Sequence, residues 1–361
     1  MNWHVFFNSQ LKKVKPYEPG LREEQVRAIA QTNSIHKLSS NESPFPPFPR
    51  AIEAMTACLP YLNEYSDGSV HELKQALAEK HGVEPSQIVV GNGVNELLCL
   101  LAQSCLDETS HVAYCWPSFV VYRMSAQIAG ATFDEVDIDA DGAYDLDGLR
   151  AAIRPHTKLV YLCSPNNPTG GIVKREQFAA FIKAVPRHVC VVVDMAYAEY
   201  VESPEHLDPM AFFDGKRPLV VFRSFSKIYG LAGVRCGYGI APVPVVQAID
   251  KVREPFNVNT VAQVGALASL SDAGELERRR TENSRQRARL YKIFQRLNLR
   301  YYQSEANFVW VFVPDAQLIF EELLKRGIIV RPFAAAGGLR VGVGTPEATL
   351  ATIEAFEHLF C

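Results

Sequence analysis

Short apolar runs alternate with longer amphipathic stretches through the first two thirds of the chain. Each apolar run has the length of a buried strand, and each amphipathic stretch repeats its apolar residues at the spacing of a helix face. The predicted strands lie at 87–90, 111–115, 158–163, 189–193, 219–222 and 235–240. The predicted helices lie at 69–81, 94–106, 118–129, 145–153 and 174–184. This alternation predicts a mainly parallel sheet with helices on both faces, whose ligands bind beyond the carboxyl ends of the strands.

The pattern changes after about residue 255. A long helical stretch comes first, and its arginines are expected on a solvated face, at positions 278–280, 285, 287 and 289. Three further predicted strands follow, at 307–313, 327–330 and 339–343. We therefore predict a three-layer α/β fold with a large domain at 46–254 and a smaller α+β domain at 255–361. Residues 1–45 are expected to form an amino-terminal arm that packs with the small domain.

Composition and charge suit an ordinary cytoplasmic enzyme. The 361 residues are 48% hydrophobic and 21% charged, which allows an ample core. The net charge of −3 lacks the basic excess of nucleic-acid-binding proteins. The eight cysteines have no paired spacing, so we expect free thiols without a metal site, as in a reducing compartment. We expect neither a signal peptide nor a membrane-spanning segment.

One lysine has the surroundings of a reactive amine. Lys227 follows the apolar run 219–222 and lies among Ser224, Ser226 and Arg235. Hydroxyls and a permanent cation within so short a span can bind a phosphate dianion through charge-assisted hydrogen bonds. An amine at the end of a buried strand can form a Schiff base with a carbonyl. The combination favours pyridoxal phosphate, although a loop rich in serine and glycine can contain a lysine without this role.

A carboxylate ends the preceding apolar run. Asp194 closes the run 189–193, where burial is costly unless the carboxylate meets a cation or a strong donor. A pyridinium nitrogen is such a partner, because the paired carboxylate keeps the ring protonated and able to accept electrons. The alternatives are a helix cap for Asp194 and a packing aromatic for Tyr197, three residues later.

Two turns rich in asparagine and glycine follow other predicted strands. In one, the Asn167 side chain is held by the adjacent Pro168 and can donate to an oxygen on a ligand ring. In the other, Gly91-Asn92-Gly93 leads into a helix, whose free N–H groups and positive end can bind phosphate. The second turn is not the G-x-G-x-x-G pattern, so a nicotinamide dinucleotide site lacks its usual motif.

Together these features resemble the fold type I pyridoxal-phosphate enzymes, the aspartate aminotransferase superfamily. Their details are most similar to the histidinol-phosphate aminotransferase family, in the class II subgroup. The resemblance runs nearly end to end through motifs in a fixed order, at 15–20, 38–44, 65–68, 91–93, 117–119, 164–170, 194–197, 224–235, 253–257 and 339–344. It implies amino transfer between histidinol phosphate and 2-oxoglutarate by a ping-pong mechanism.

The resemblance also implies roles around pyridoxal 5'-phosphate. Lys227 would form the Schiff base and move the proton at the substrate α-carbon, while Asp194 holds the pyridinium proton. Asn167 and Tyr197 would bond the phenolic oxygen of the ring, which makes the imine electrophilic near neutral pH. Phe119 would stack on the ring. The phosphate would be bound by backbone N–H groups and side chains of Gly93, Val94, Asn95, Ser224, Ser226 and Arg235.

The substrate end of the site follows from the same resemblance. Arg340 would clamp an α-carboxylate bidentately. Histidinol phosphate has no carboxylate whereas glutamate does, so one site must accept both in turn, through Tyr17, Asn41, Arg331 and Arg340. The alternatives are a surface salt bridge for Arg331 and a packing contact for Tyr17. Tyr65 would reach the cofactor phosphate of a neighbouring subunit, which implies a homodimer with shared active sites.

Three positions depart from the family pattern and leave the substrate open. Ser43 stands where the family usually has asparagine. Met195 and Asn95 each stand where an acidic residue is common. The alternatives are an aromatic amino acid aminotransferase and a lyase similar to threonine-phosphate decarboxylase. A non-catalytic relative is disfavoured, because Lys227, Asp194 and Arg340 are all present.

Overall fold

A seven-stranded sheet forms the centre of the structure, a computed structural model that describes residues 6–17 and 19–361. The strands β1 to β12 lie at His36–Lys37, Ile88–Gly91, His111–Trp116, Thr132–Asp137, Thr157–Cys163, Cys190–Asp194, Leu219–Ser224, Gly237–Ile240, Phe308–Phe312, Ile328–Ile329, Arg331–Phe333 and Gly338–Gly342. The helices α1 to α12 lie at Glu23–Arg27, Pro49–Cys58, His71–His81, Val94–Cys105, Val121–Ala129, Leu146–Ala151, Arg175–Ala184, Val243–Val252, Thr260–Leu270, Ala273–Arg296, Ala316–Lys325 and Pro346–Phe360.

The central sheet is mainly parallel, as predicted. Its strand order is β2-β8-β7-β6-β5-β3-β4, and β8 pairs antiparallel with both of its neighbours. The strands β5, β6 and β7 pair in parallel, which brings Cys163, Asp194 and Phe222 side by side at one edge. Their apolar residues are buried on both faces, which explains the uninterrupted apolar runs in the sequence. This edge is where the candidate site lies.

The edge strand β4 was not predicted. It extends over Thr132–Asp137 and pairs with β3, and its residues are exposed or only partly buried. Four of its six side chains are acidic or hydroxylic, so the segment has no continuous apolar run that would distinguish it from a loop. The amphipathic pattern is that of a strand packed on one face only.

A second apolar core lies under the antiparallel sheet β11-β12-β9 and the helices α10 and α12. Leu38 belongs to this core, and β1 pairs in parallel with β10. Residues 36–38 therefore pack against the carboxyl-terminal part, whereas the segment Ser9–Lys13 contacts helix α5. Residues 1–5 and Glu18 of the predicted arm lie outside the described residues. The boundaries predicted at 45 and 254 stay predictions.

The solvated arginine face expected on α10 is wrong at two positions. Arg279 and Arg287 are 2% and 5% exposed. Arg279 donates to the carbonyl oxygens of Ile228 and Pro46 at 3.0 and 2.7 Å. Arg287 donates to Ala306 O at 3.0 Å. Their spacing of eight residues places them on one side of the helix, where both guanidinium groups hydrogen-bond to carbonyls of the packed chain.

All eight cysteines are free thiols, as predicted. Within residues 6–17 and 19–361, no helix has the length and apolar character needed to cross a bilayer. The same described residues contain no cluster of His, Cys, Asp and Glu side chains that could hold a metal ion.

Candidate active site

A cavity of about 340 Å³ opens beyond the carboxyl ends of β5, β6 and β7. We call it the inner cavity. Most of the predicted site residues line it, namely Tyr17, Asn41, Val94, Asn95, Phe119, Asn167, Asp194, Tyr197, Ser224, Ser226, Lys227, Arg235 and Arg340. They come from distant parts of the sequence, and the parallel sheet brings them together because its strands all end at this edge.

The Lys227 amine lies over the ring of Tyr197. Its Nζ is 5.3 Å from the ring centroid, and the residue follows β7 in a turn closed by the Gly230 N–H, which donates to Lys227 O at 3.0 Å. Burial and the positive charge of Arg340 lower the pKa of Lys227 to about 8. The negative charge of Glu42 raises this pKa and so offsets part of the effect. A useful fraction of the amine is therefore neutral and nucleophilic near neutral pH.

Asp194 is a buried carboxylate with two donors. The Tyr122 hydroxyl donates to its Oδ2 at 2.8 Å, and the Ala196 N–H donates to its Oδ1 at 3.1 Å. Burial raises the pKa of Asp194, and both hydrogen bonds lower it. Sequence reasoning missed Tyr122. Its only signal is its position three residues after Phe119, which places the two side chains on one face of a helical turn.

An anion-binding arrangement closes one end of the inner cavity. Helix α4 begins at Val94, and its N-cap Gly93 has no side chain to bond the free N–H groups of the first turn. Gly93 has φ +84°, and a Cβ there would collide with the Arg235 guanidinium. Arg235 donates to Ser226 Oγ at 3.3 Å, and Ser224 is buried beside it. A cation, hydroxyls and a helix N-terminus together suit a phosphate dianion.

The opposite end is formed by Arg340. Its Nη1 donates to Asn167 Oδ1 and its Nη2 to Ser39 O. Its Nε has no partner among the described residues. Burial lowers the pKa of Arg340 to about 10, so the guanidinium stays charged at neutral pH. Two of its five N–H groups anchor the side chain, which leaves three for a ligand.

Asn41 contacts Tyr197 rather than the cavity centre. Its Nδ2 donates to the Tyr197 hydroxyl at 2.9 Å, while its Oδ1 has no partner among the described residues. Asn41 is only 3% exposed. The oxygen of Asn167 accepts from Arg340, so its amide nitrogen is the atom that can donate to a ligand. Asn41, Asn167 and Tyr197 thus present polar atoms along one wall.

A second cavity of about 480 Å³ adjoins the inner one. We call it the outer chamber, and it shares Tyr17, Ser40, Phe119, Asn167 and Arg340 with the inner cavity. Its other cationic side chains are Lys13, Lys15, Arg123 and Arg331. The first two come from the arm and were not among the predicted site residues. Arg331 pairs with Arg340 across β11 and β12, so their backbones are adjacent.

The positive charge of Arg123 in the outer chamber is matched by a nearby carboxylate. Its Nε donates to Glu135 at 2.6 Å, and its Cζ lies 4.2 Å from the centroid of the Trp116 ring. Glu135 also accepts from the Tyr114 hydroxyl at 2.6 Å. Arg123 is therefore expected to shape the chamber wall more than to bind an anion.

Tyr65 lies outside both cavities. It is 84% exposed and stacks on Phe256 with ring centroids 4.6 Å apart. Its predicted contact with the cofactor of a neighbouring subunit stays a prediction.

Comparisons with known proteins cover nearly the whole chain. The family model described as aminotransferase class I and II matches residues 33–356. Histidinol-phosphate aminotransferase of Moorella thermoacetica is 38% identical over 351 residues, which are 96% of this chain and 91% of the relative. The Bacillus pumilus protein of the same name is 40% identical over 347 residues, 95% of each chain. The crystal structure of histidinol-phosphate aminotransferase from Sinorhizobium meliloti in complex with pyridoxal-5'-phosphate has a TM-score of 0.89 at 27% identity and covers 98% of each chain.

Proposed function

This chain belongs to the class I and II aminotransferase family, and we propose that it binds pyridoxal 5'-phosphate and transfers the amino group of histidinol phosphate to 2-oxoglutarate. The protein is an aminotransferase, as the motifs predicted. Its cofactor and its substrates are inferred for this chain from the site and from the relatives' names.

One observation carries the cofactor proposal. The inner cavity brings a nucleophilic amine, a buried carboxylate and an anion-binding helix end together around one space. Pyridoxal phosphate carries an aldehyde, a pyridine nitrogen and a phosphate, which match these three features. When bound, the cofactor supplies a carbonyl carbon for the amino group and a ring that withdraws electrons.

The side chains around that space have separate tasks. Asp194 would accept a hydrogen bond from the protonated ring nitrogen, and the hydroxyl of Tyr197 and the amide of Asn167 would donate to the ring oxygen. Phe119 would cover one ring face. The Lys227 amine would hold the cofactor through its carbonyl carbon and would move the proton at the substrate α-carbon. The phosphate would be held by Gly93, Val94, Asn95, Ser224, Ser226 and Arg235.

The arginines at the boundary of the two cavities support a substrate that carries an anion. Arg340 has three N–H groups to offer, and Arg331 lies beside it on the neighbouring strand. Lys13 and Lys15 of the arm add positive charge to the same chamber. Such a concentration of cations suits a phosphate dianion as well as the carboxylates of 2-oxoglutarate. Tyr17 lines both cavities and would close on either substrate.

Product analysis tests the substrate assignment. Purified protein loaded with pyridoxal phosphate is incubated with 2-oxoglutarate and one amino donor, and glutamate is measured. Histidinol phosphate should give glutamate at a rate far above that with phenylalanine or tyrosine. Faster turnover of the aromatic amino acids would favour the aromatic aminotransferase. Release of carbon dioxide from phosphothreonine without glutamate would favour the lyase.

We also propose a homodimer. Large apolar side chains are exposed on and after α2 and next to Tyr65, at Ile52, Leu59, Tyr61, Leu62 and Phe256. Burying them in a symmetric contact would remove this apolar surface from water. Light scattering should give a mass of about 80 kDa, twice the 40.2 kDa of the chain. A mass of one chain at assay concentration would contradict the dimer and the role of Tyr65.

A further inference from the structure

A buried tyrosine next to the site is assigned no role by the family resemblance. Resting on the cofactor site proposed above, we propose that Tyr122 is a positioning residue, whose hydroxyl orients the Asp194 carboxylate and keeps it ionised beneath the cofactor's ring nitrogen. Tyr122 itself would touch neither the substrate nor the cofactor's reacting atoms.

The hydrogen-bond geometry carries this inference. Tyr122 is fully buried, and its hydroxyl is the only side-chain donor to Asp194 among the described residues. The backbone N–H of Ala196 binds the other carboxylate oxygen. Each oxygen is thus held by one donor, and their remaining lone pairs are available to a ligand. Two fixed donors leave the carboxyl plane little freedom to rotate.

Electrostatics explains why a neutral hydroxyl is useful here. Burial raises the pKa of Asp194, which favours its protonated form, and the Tyr122 hydrogen bond lowers it again. Burial, and then the negative charge of Asp194, raises the pKa of Tyr122 well above its usual value. The tyrosine therefore keeps its proton and acts as a donor at any working pH.

Other titratable groups face Asp194 from the elements around it. Cys163 lies beside it on β5, Tyr144 and Tyr197 lie on neighbouring segments, and Lys227 follows β7. Burial raises the pKa of the thiol and of both phenols, so these three stay neutral. Lys227 is the one cation among them, and it acts on Asp194 through its charge and not through a hydrogen bond. Tyr122 is the side chain among them that donates a hydrogen bond to the ionised carboxylate.

Ring packing holds Tyr122 in place. Its ring stacks on Tyr161 with centroids 4.6 Å apart and an interplanar angle of 11°. It also makes an edge-to-face contact with the Phe119 ring, with centroids 5.8 Å apart and an interplanar angle of 84°. Phe119, which is expected to stack on the cofactor ring, lies in the loop before α5. Tyr122, which orients Asp194, lies in the first turn of the same helix.

Tyr161 offers a matched control. It is fully buried and stacked in the same pair, but its hydroxyl has no hydrogen-bond partner among the described residues. Tyr122→Phe and Tyr161→Phe each remove one buried oxygen and keep both rings stacked. Only the first removes a donor to Asp194, so a difference between them reports the hydrogen bond and not the packing.

The test measures binding to the apoprotein of two ligands: pyridoxal phosphate and its analogue with C–H in place of the ring nitrogen. The preference for pyridoxal phosphate, taken as the ratio of the two dissociation constants, reports the Asp194 contact alone. Because a hydrogen bond to a charged group contributes about 1.5–3 kcal/mol, Tyr122→Phe should reduce the preference about tenfold or more. Tyr161→Phe should leave it within about twofold of wild type.

The pH dependence adds a second readout. Without the Tyr122 donor, the pKa of Asp194 rises further, so the carboxylate becomes protonated at a higher pH as the pH falls. As the pH is lowered, the preference in Tyr122→Phe should therefore be lost at a higher pH than in wild type. The ¹⁵N chemical shift of labelled cofactor, which reports protonation of the ring nitrogen, should show the same difference.

The outcomes separate this inference from the proposed function. If wild-type protein does not bind pyridoxal phosphate, the proposed cofactor site is wrong. If wild type prefers pyridoxal phosphate and Tyr122→Phe keeps the same preference over the same pH range, the role of Tyr122 is wrong. Equal weakening of both ligands in Tyr122→Phe would show a packing role only and would also overturn it.

Discussion

Replacing Arg340 by glutamine should damage substrate recognition while leaving the cofactor bound. Arg340 is 8% exposed and is anchored to Asn167 and Ser39 O, so its charge is fixed before the substrate arrives. Removing one partner of a buried, hydrogen-bonded charge pair costs about 2–5 kcal/mol. With about 1.4 kcal/mol for each factor of ten, kcat/KM should fall by between about 30-fold and about 4,000-fold. Glutamine can still donate one neutral hydrogen bond, so we expect a loss of about 100-fold.

The assay follows kcat/KM separately for the amino donor and for 2-oxoglutarate. Arg300→Gln is the matched control, because Arg300 is an exposed arginine that precedes β9 and lines neither cavity. The control should behave as wild type, and both variants should keep the visible spectrum of the bound cofactor. A loss of less than about fivefold for both substrates in Arg340→Gln would refute the assignment of Arg340 to the substrate anion.

The remaining predictions concern the amine, the carboxylate and the buried arginine. The rate at which the apoprotein binds pyridoxal phosphate covalently should rise with pH through about 8 and then level off, because the pKa of Lys227 is lowered to about 8 and only the neutral amine attacks. A rate that is flat over this range would contradict the pKa. Lys227→Ala should abolish turnover and Asp194→Asn should reduce it by several orders of magnitude, with circular dichroism unchanged, and wild-type rates in either would remove the cofactor assignment. Arg279→Met should lower the free energy of unfolding by about 3 kcal/mol, because the carbonyls of Ile228 and Pro46 lose a buried donor. The exposed Arg278→Met is its control and should change stability by less than about 0.5 kcal/mol in urea unfolding.

The site residues that follow strands were predictable, because a buried parallel strand is recognisable in the sequence as an uninterrupted apolar run. Asn167, Asp194 and Lys227 each come after such a run, and parallel strands place their carboxyl ends at one edge. Resemblance to a known family was needed for Arg331, Arg340 and the arm residues. Nothing in the local sequence brings residue 17 to a site that residue 227 also lines.

The missed features depend on contacts between distant residues. Arg279 is buried because carbonyls of Pro46 and Ile228 reach it, which an amphipathic pattern within one helix cannot show. The Tyr122 hydroxyl donates a hydrogen bond to Asp194, which lies 72 residues later in the sequence. Lys13 lines the outer chamber although it belongs to the amino-terminal arm. Each of these positions has a common side chain in an ordinary local pattern, so only the folded structure distinguishes it.

The most direct test of the proposed function is a visible absorbance titration of protein loaded with pyridoxal phosphate. Histidinol phosphate is added first, without an oxo acid, and 2-oxoglutarate second. The absorbance of the lysine-bound cofactor should disappear on the first addition and return on the second, since the amino group would pass to the cofactor and then to the oxo acid. A spectrum that histidinol phosphate leaves unchanged would contradict the substrate, and the absence of any cofactor absorbance would contradict the site itself.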